Sequence, residues 1–118
     1  MFVKALKSKI HRATVTGSTA DYPGSIAVDP ILLEAAGITP YEEVLLANIT
    51  NGNRVETYCI PAESGSGDIE VLGAAARLFA KGDMVIIMNF GYYSPEEMKC
   101  IKPKVIVADE NNNIDKIL

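Results

Sequence analysis

The sequence predicts a small, mainly β single domain in which short helices cross between the strands of a mixed barrel. Three observations point there. The chain has 118 residues, which suits one compact domain able to bury most of its apolar surface without a disulfide or metal. About five segments read as strands, from alternation or from β-branched content. The helical segments between them are too short and too few to cover both faces of a doubly wound parallel sheet.

The first strand is SKIHRATVT, residues 8–16. Alternation places Lys9, His11, Ala13 and Val15 on one face, because strand side chains repeat every second residue. GSTADYPG (17–24) is a loop by composition. DYPGSIAVDP (21–30) reads as a turn running into a short helix, with Asp29 as cap, Pro30 at the first helical position and Gly37 as the stop. EEVLLANIT and RVETYCI flank Asn51-Gly52, a strong hairpin signal. On the second of these strands Arg54, Glu56 and Tyr58 share one face and Thr57 points away. GAAARLFAKG (73–82) reads as a second short helix closed by Gly82, and DMVIIMNF (83–90) as an apolar central strand. Ser94-Pro95-Glu96-Glu97 is a capping box for a last short helix. KVIVA (104–108) adds one more strand, and the Asn-rich tail DENNNIDKIL (109–118) is expected to fray.

Composition excludes several classes. With 11 Lys+Arg against 15 Asp+Glu, the net charge of −4 argues against broad nucleic-acid binding. Lys4, Lys7, Lys9 and Arg12 nevertheless crowd the first dozen residues beside His11, which leaves room for a local anion site. No apolar run approaches the roughly 18 residues of a membrane span, and MFVKALKSKIHRATVT lacks a continuous signal core. A cytoplasmic location is the expectation, with no membrane partner. Cys59 and Cys100 stand alone and read as reduced thiols.

Familiar motifs are few. The chain contains no G-x-x-x-x-G-K-[ST], no G-x-G-x-x-G and no G-x-S-x-G. A single histidine, His11, rules out a histidine metal cluster, and no metal is expected. The tail imitates the start of a calcium loop but has Ile114 where the sharp turn needs glycine, so it reads as a polar turn. Asn48-Ile49-Thr50 matches a glycosylation acceptor, which has no meaning without secretion. Taken singly, His11, Tyr22, Arg54 and Tyr58 have plain structural explanations. Ser25, after Gly24, can be a turn residue, a nucleophile towards a substrate or a nucleophile towards its own backbone.

Together these residues form a pattern. Lys9-x-His11-Arg12, Tyr22-x-Gly24-Ser25, TNGNRVETY (50–58) and GAAA (73–76) closely resemble the aspartate 1-decarboxylase family, from Lys9 to about Val107. The resemblance implies a double-psi β-barrel, a homotetramer with active sites between subunits, and decarboxylation of L-aspartate to β-alanine for pantothenate synthesis. It implies that Ser25 attacks the carbonyl of Gly24 and splits the chain into 1–24 (β) and 25–118 (α). Ser25 then becomes a pyruvoyl group, the enzyme's own cofactor, whose ketone serves as electron sink without metal or pyridoxal phosphate.

The remaining roles follow from the same resemblance. Thr57 stabilises the oxyanion of processing. Lys9 and Arg54 hold the substrate carboxylates, Arg54 as a bidentate fork. Tyr58 donates the proton, as phenols keep theirs at neutral pH. His11 and Tyr22 orient substrate or pyruvoyl, and the amides of Gly73, Ala74 and Ala75 receive a substrate oxygen. One departure stands out: many family members have asparagine before GAAA, where this chain has Leu72. Placing Arg54, Thr57 and Tyr58 in one site requires a bulge, a twist or two subunits. The second reading is a silent or slowly maturing barrel that binds an anionic metabolite or partner. A third, a hydrolase using Ser25 and His11, lacks both an elbow and an orienting acid.

Overall fold

The computed structural model describes residues 1–118. Nine strands form one mixed sheet: β1 Val3–Thr14, β2 Gly17–Thr19, β3 Ser25–Val28, β4 Glu43–Asn48, β5 Arg54–Pro61, β6 Ile69–Leu72, β7 Met84–Tyr93, β8 Lys104–Ala108 and β9 Ile114–Ile117. Their order is β2-β6-β3-β5-β4-β7-β1-β8-β9. The pairs β1/β8, β2/β6 and β3/β5 are parallel and the others antiparallel. β2 lies at one edge of this order, yet only Val15 and Thr16 separate it from β1. The Thr16 amide donates to the Ile69 carbonyl at 2.8 Å. The sheet therefore curls until its edge meets the end of β1. This is the mainly β, double-psi-barrel-like single domain that the sequence predicts.

The interior is aliphatic. Ile10, Ile26, Leu46, Ile69, Val71, Val85, Ile87 and Ile106 come from six different strands and are fully buried. Helix α1, Pro30–Ala36, closes one end and starts as expected. Asp29 accepts from the Ile31 amide at 3.0 Å, Pro30 opens the helix, and Gly37 ends it at φ +71°. Helix α2, Pro95–Met98, carries the expected capping box between Ser94 and Glu97. The hairpin around Asn51-Gly52 also forms, with Gly52 at φ +81°. No helix is long and apolar enough to cross a membrane.

Several expectations are overturned. Ala13 and Val15 do not share a face with Lys9 and His11; both are buried with Ile10. An extra residue sits in β1 between the pairs Ile10/Ile87 and Ala13/Val85, where Arg12 takes φ +65°. This bulge reverses the strand's alternation. DYPGSIAVDP is not only a turn into a helix: Ser25–Val28 form a buried strand between β5 and β6. Part of the 17–24 loop is β2. GAAARLFAKG is a 3₁₀ helix, Gly73–Leu78, ending well before Gly82. The tail does not fray, because β9 pairs with β8. Asn112, only 3% exposed, receives the Thr14 amide and donates to the carbonyls of Thr14 and Gly67.

Candidate active site

Two glycines bring the Gly24-Ser25 step against the GAAA segment. Gly24 has φ +114° and Gly73 φ +81°, a region glycine enters freely and other residues resist. A Cβ on Gly73 would lie 2.5 Å from the Gly24 Cα and 2.9 Å from the Tyr22 carbonyl oxygen. A Cβ on Gly24 would meet nothing within 4 Å. Backbone conformation alone demands glycine at 24, whereas both conformation and space demand it at 73.

Ser25 follows on β3, opposite Leu72 of β6. It is 1% exposed, and its hydroxyl is buried without a hydrogen-bond partner. Buried hydroxyls are nearly always satisfied. Ser8 Oγ, His11 Nδ1 and Asn89 Oδ1 share this state, and what distinguishes Ser25 among them is its place directly after Gly24. Leu72 is also the cap residue of the 3₁₀ helix and makes no side-chain cap bond. An asparagine there could bond the first-turn amides; leucine leaves Ala74 and Ala75 without that partner. Ala74 is exposed and Ala75 packs into the core.

Tyr58 approaches from the other side. β3 runs parallel to β5 with Ile26 opposite Cys59, so one step back brings Ser25 level with Tyr58. The Tyr58 side chain is part exposed, and its ring centroid lies 6.4 Å from that of Tyr41. The β4/β5 register runs unbroken from Glu43/Tyr58 to Ala47/Arg54, so β5 has no bulge there. Arg54, Glu56 and Tyr58 are accordingly exposed on one face, and Thr57 is half-buried on the other. Four steps of strand separate Arg54 from Tyr58, roughly 13 Å of backbone.

The remaining pair sits elsewhere. Lys9 and His11 lie on β1, with β5, β4 and β7 between it and β3 in the sheet order. The His11 Nδ1 is buried without a partner. Burial first, then the charges of Lys9 and Arg12, hold the imidazole below its ordinary value, so it is neutral at neutral pH. Among the other cations of this segment, Lys7 bonds Glu42 at 2.7 Å, Lys4 lies 5.6 Å from the Phe90 ring centre, and Arg12 is exposed at the bulge. One chain thus brings together Gly24, Ser25, Gly73, the backbone carbonyl of Tyr22 and, one strand over, Tyr58, while Lys9 and His11 lie on a strand not adjacent to β3. Neither surface hollow is lined by these residues themselves: one is bounded by Lys4, Glu56, Tyr92 and Glu43, the ladder partner of Tyr58, and the other by Arg12, Asp109, Asp115 and Val107, the ladder partner of His11.

Two supporting residues carry no sequence signal for this role. Asp29, seen only as a helix cap, also accepts the amides of Gly65 and Gly67 at 3.1 and 2.9 Å. Burial pushes its pKa up, but these three amide bonds outweigh it and hold the carboxyl below its usual range. Glu42 ties the turn before β4 to Lys7 of β1; its only sequence hint is the preceding Pro40.

A sequence model of a family described as aspartate decarboxylase matches residues 1–115. The chain belongs to the aspartate decarboxylase family. It is therefore an enzyme of the decarboxylase class. Among its relatives, a protein named aspartate 1-decarboxylase from Caldicellulosiruptor saccharolyticus is 52% identical over 117 residues, covering 99% of this chain and 91% of the relative. Proteins of the same name from Acetivibrio thermocellus and Listeria monocytogenes are 51% and 50% identical, covering 99% and 100% of this chain and 93% of each relative.

Proposed function

We propose that the protein decarboxylates L-aspartate to β-alanine and carbon dioxide, in the cytoplasm and for pantothenate synthesis, using a pyruvoyl group made from Ser25. The observation that carries this reading is the buried, unpartnered Ser25 hydroxyl behind a glycine at φ +114°. A hydroxyl with no competing partner, next to an unhindered carbonyl, favours attack on Gly24. The Ser25 oxygen bonds to the Gly24 carbonyl carbon, the C–N bond breaks, and the hydroxyl proton passes to the Ser25 nitrogen. Thr57 stabilises the oxyanion of this step. Loss of the Ser25 α-proton then expels the Gly24 carboxylate and leaves dehydroalanine; water adds, ammonia leaves, and fragments 1–24 and 25–118 result. No metal or pyridoxal phosphate enters.

Once formed, the pyruvoyl ketone supplies the electron sink for decarboxylation. The chain's other residues do the binding and proton work. Lys9 and Arg54 neutralise the two carboxylates of aspartate, Arg54 with a two-toothed grip. His11, uncharged at neutral pH, and Tyr22 orient the substrate. The amides of Gly73, Ala74 and Ala75 receive a substrate oxygen, and Tyr58 delivers its hydroxyl proton to the α carbon. Within one chain these groups share no hollow, and Arg54 and Lys9 stand far from Ser25 along the sheet. That separation supports a homotetramer in which the β1 residues of one subunit complete the Ser25 cluster of another.

Intact mass under denaturing conditions tests the reading. Two fragments divided at Gly24-Ser25, lost in Ser25→Ala together with β-alanine release from L-aspartate, are the expected result. A chain that stays whole after prolonged warming and yields no β-alanine overturns it. Leu72 opposite Ser25 favours one variant of the reading, a slowly maturing enzyme. In that case cleavage in the mass spectrum accumulates over hours, and Leu72→Asn accelerates it.

A further inference from the structure

The turn that leads into β4 breaks a local rule beside Tyr58. Residues Thr39-Pro40-Tyr41-Glu42 close a four-residue turn, with the Glu42 amide donating to the Thr39 carbonyl at 3.2 Å. Proline stands at its second position, and Tyr41 at its third has φ +76°. This is the type II pattern, whose third position favours glycine or asparagine. A bulky aromatic residue there is an outlier that persists only when its surroundings hold it.

The surroundings do hold it. The Glu42 Oε2 accepts the Thr39 amide and hydroxyl at 2.6 and 3.1 Å, while its Oε1 accepts Lys7 Nζ at 2.7 Å. The Tyr41 amide donates to the Cys59 carbonyl at 2.8 Å, and the Cys59 amide returns to the Glu42 carbonyl. Cys59 is the residue after Tyr58, so the turn is fastened to the strand that carries the phenol.

Nothing in the fold needs a tyrosine at this point. The Tyr41 side chain is 76% exposed and lies outside the core. Its aromatic neighbour is Tyr58, at 6.4 Å between centroids and 34° between planes, a tilted pair within the distance at which aromatic rings attract. A strained backbone is thus maintained to hold an exposed ring against another ring.

We propose that Tyr41 is a positioning residue: its ring fixes the orientation of the Tyr58 ring and so aims the Tyr58 hydroxyl. The inference rests on the reading of Tyr58 as proton donor, because only then does aiming the hydroxyl govern turnover. On this reading Tyr41 acts through Tyr58 and not on the substrate itself.

Tyr41→Gly and Tyr41→Phe test this in the mature assembly. Glycine suits the backbone and removes the ring; phenylalanine keeps the ring. Tyr41→Gly should mature, assemble and melt at or above the wild-type temperature, with little change in KM and turnover lowered about tenfold or more, as misaimed groups cost. Tyr41→Phe should restore turnover. Wild-type turnover in Tyr41→Gly where Tyr58→Phe loses turnover, or equal loss in both Tyr41 variants, overturns the proposal. So does loss of cleavage or of assembly in Tyr41→Gly, which would make the ring a folding or interface element.

A second measurement keeps the two readings apart. The chain has five tyrosines and no tryptophan, so near-ultraviolet circular dichroism carries no indole signal. The Tyr58 contribution, taken as the difference on Tyr58→Phe, should shrink in the Tyr41→Gly background and persist in Tyr41→Phe. An unchanged contribution overturns the positioning whatever Tyr58 does. A shrunken contribution together with full turnover in Tyr58→Phe supports the positioning and overturns the proton-donor reading.

Discussion

Left-handed backbone flanks β5 on both sides, and the two flanks handle it differently. Towards β3, Gly24 and Gly73 meet with a close approach that excludes any side chain at 73. Towards β4, Tyr41 occupies the same region of φ with a full aromatic side chain. The first flank lacks room and uses glycine. The second has room but no intrinsic preference, and holds its residue through Glu42, Lys7 and Cys59. Strain that ligation to neighbours can hold is tolerated; an overlap of atoms is not.

Substitutions break this comparison in graded steps. Gly73→Ala should have the largest effect. Its Cβ must push Gly24 away, costing about 2–4 kcal/mol, and fragments should vanish from the mass spectrum. Asp29→Ala strips the acceptor from three amides at the far end of β3, and denaturant titration should show a loss of about 2–3 kcal/mol. Gly24→Ala, measured on a Ser25→Ala background so that no chain is cut, should cost about 1–2 kcal/mol, since conformation alone opposes it. Tyr41→Gly should gain about 1 kcal/mol as the strain is released.

The smallest effects come from pH. Asp29 sits below its ordinary 3.8 when folded, so its amide bonds stabilise the fold above that value and fail as pH falls through the folded one. His11 sits below its ordinary 6.5 because burial, Lys9 and Arg12 disfavour its charge. The unfolded chain therefore takes up this proton first, and stability begins to fall as pH drops below 6.5. Thermal melts of His11→Asn should lack that first decline and keep the Asp29 limb below 3.8.

Much of the fold was legible because signals were local. Asp29-Pro30 and Gly37 bound α1, Ser94 and Glu97 cap α2, and Asn51-Gly52 marks the hairpin. The missed strands lack such signals. Ser25–Val28 is too short and too uniformly buried to alternate, and Gly17–Thr19 is polar enough to pass for loop. The β1 bulge defeated the assignment of Ala13 and Val15, because one extra residue reverses everything after it. Asn112 looked like tail composition, yet its three hydrogen bonds reach residues far away in the chain.

The site was legible as a set of residues and not as an arrangement. Gly24, Ser25 and Gly73 proved to be neighbours, which no spacing reveals because 48 positions separate Ser25 from Gly73. The opposed faces of Thr57 and Tyr58 followed from strand periodicity, and the unbroken register confirms them. Tyr41 gave no warning, since only its backbone angle and its neighbour mark it out.

The placement of the first two strands has a consequence for a chain divided after Gly24. β1 lies inside the sheet, laddered to β7 on one side and β8 on the other, and β2 is zipped to β6. The short piece would stay woven into the long one and leave only when the barrel opens. Refolding would then become a meeting of two molecules, slower on dilution, where the whole chain refolds at a rate indifferent to concentration. Such a break would turn a reversible fold into one that is kept by never coming apart.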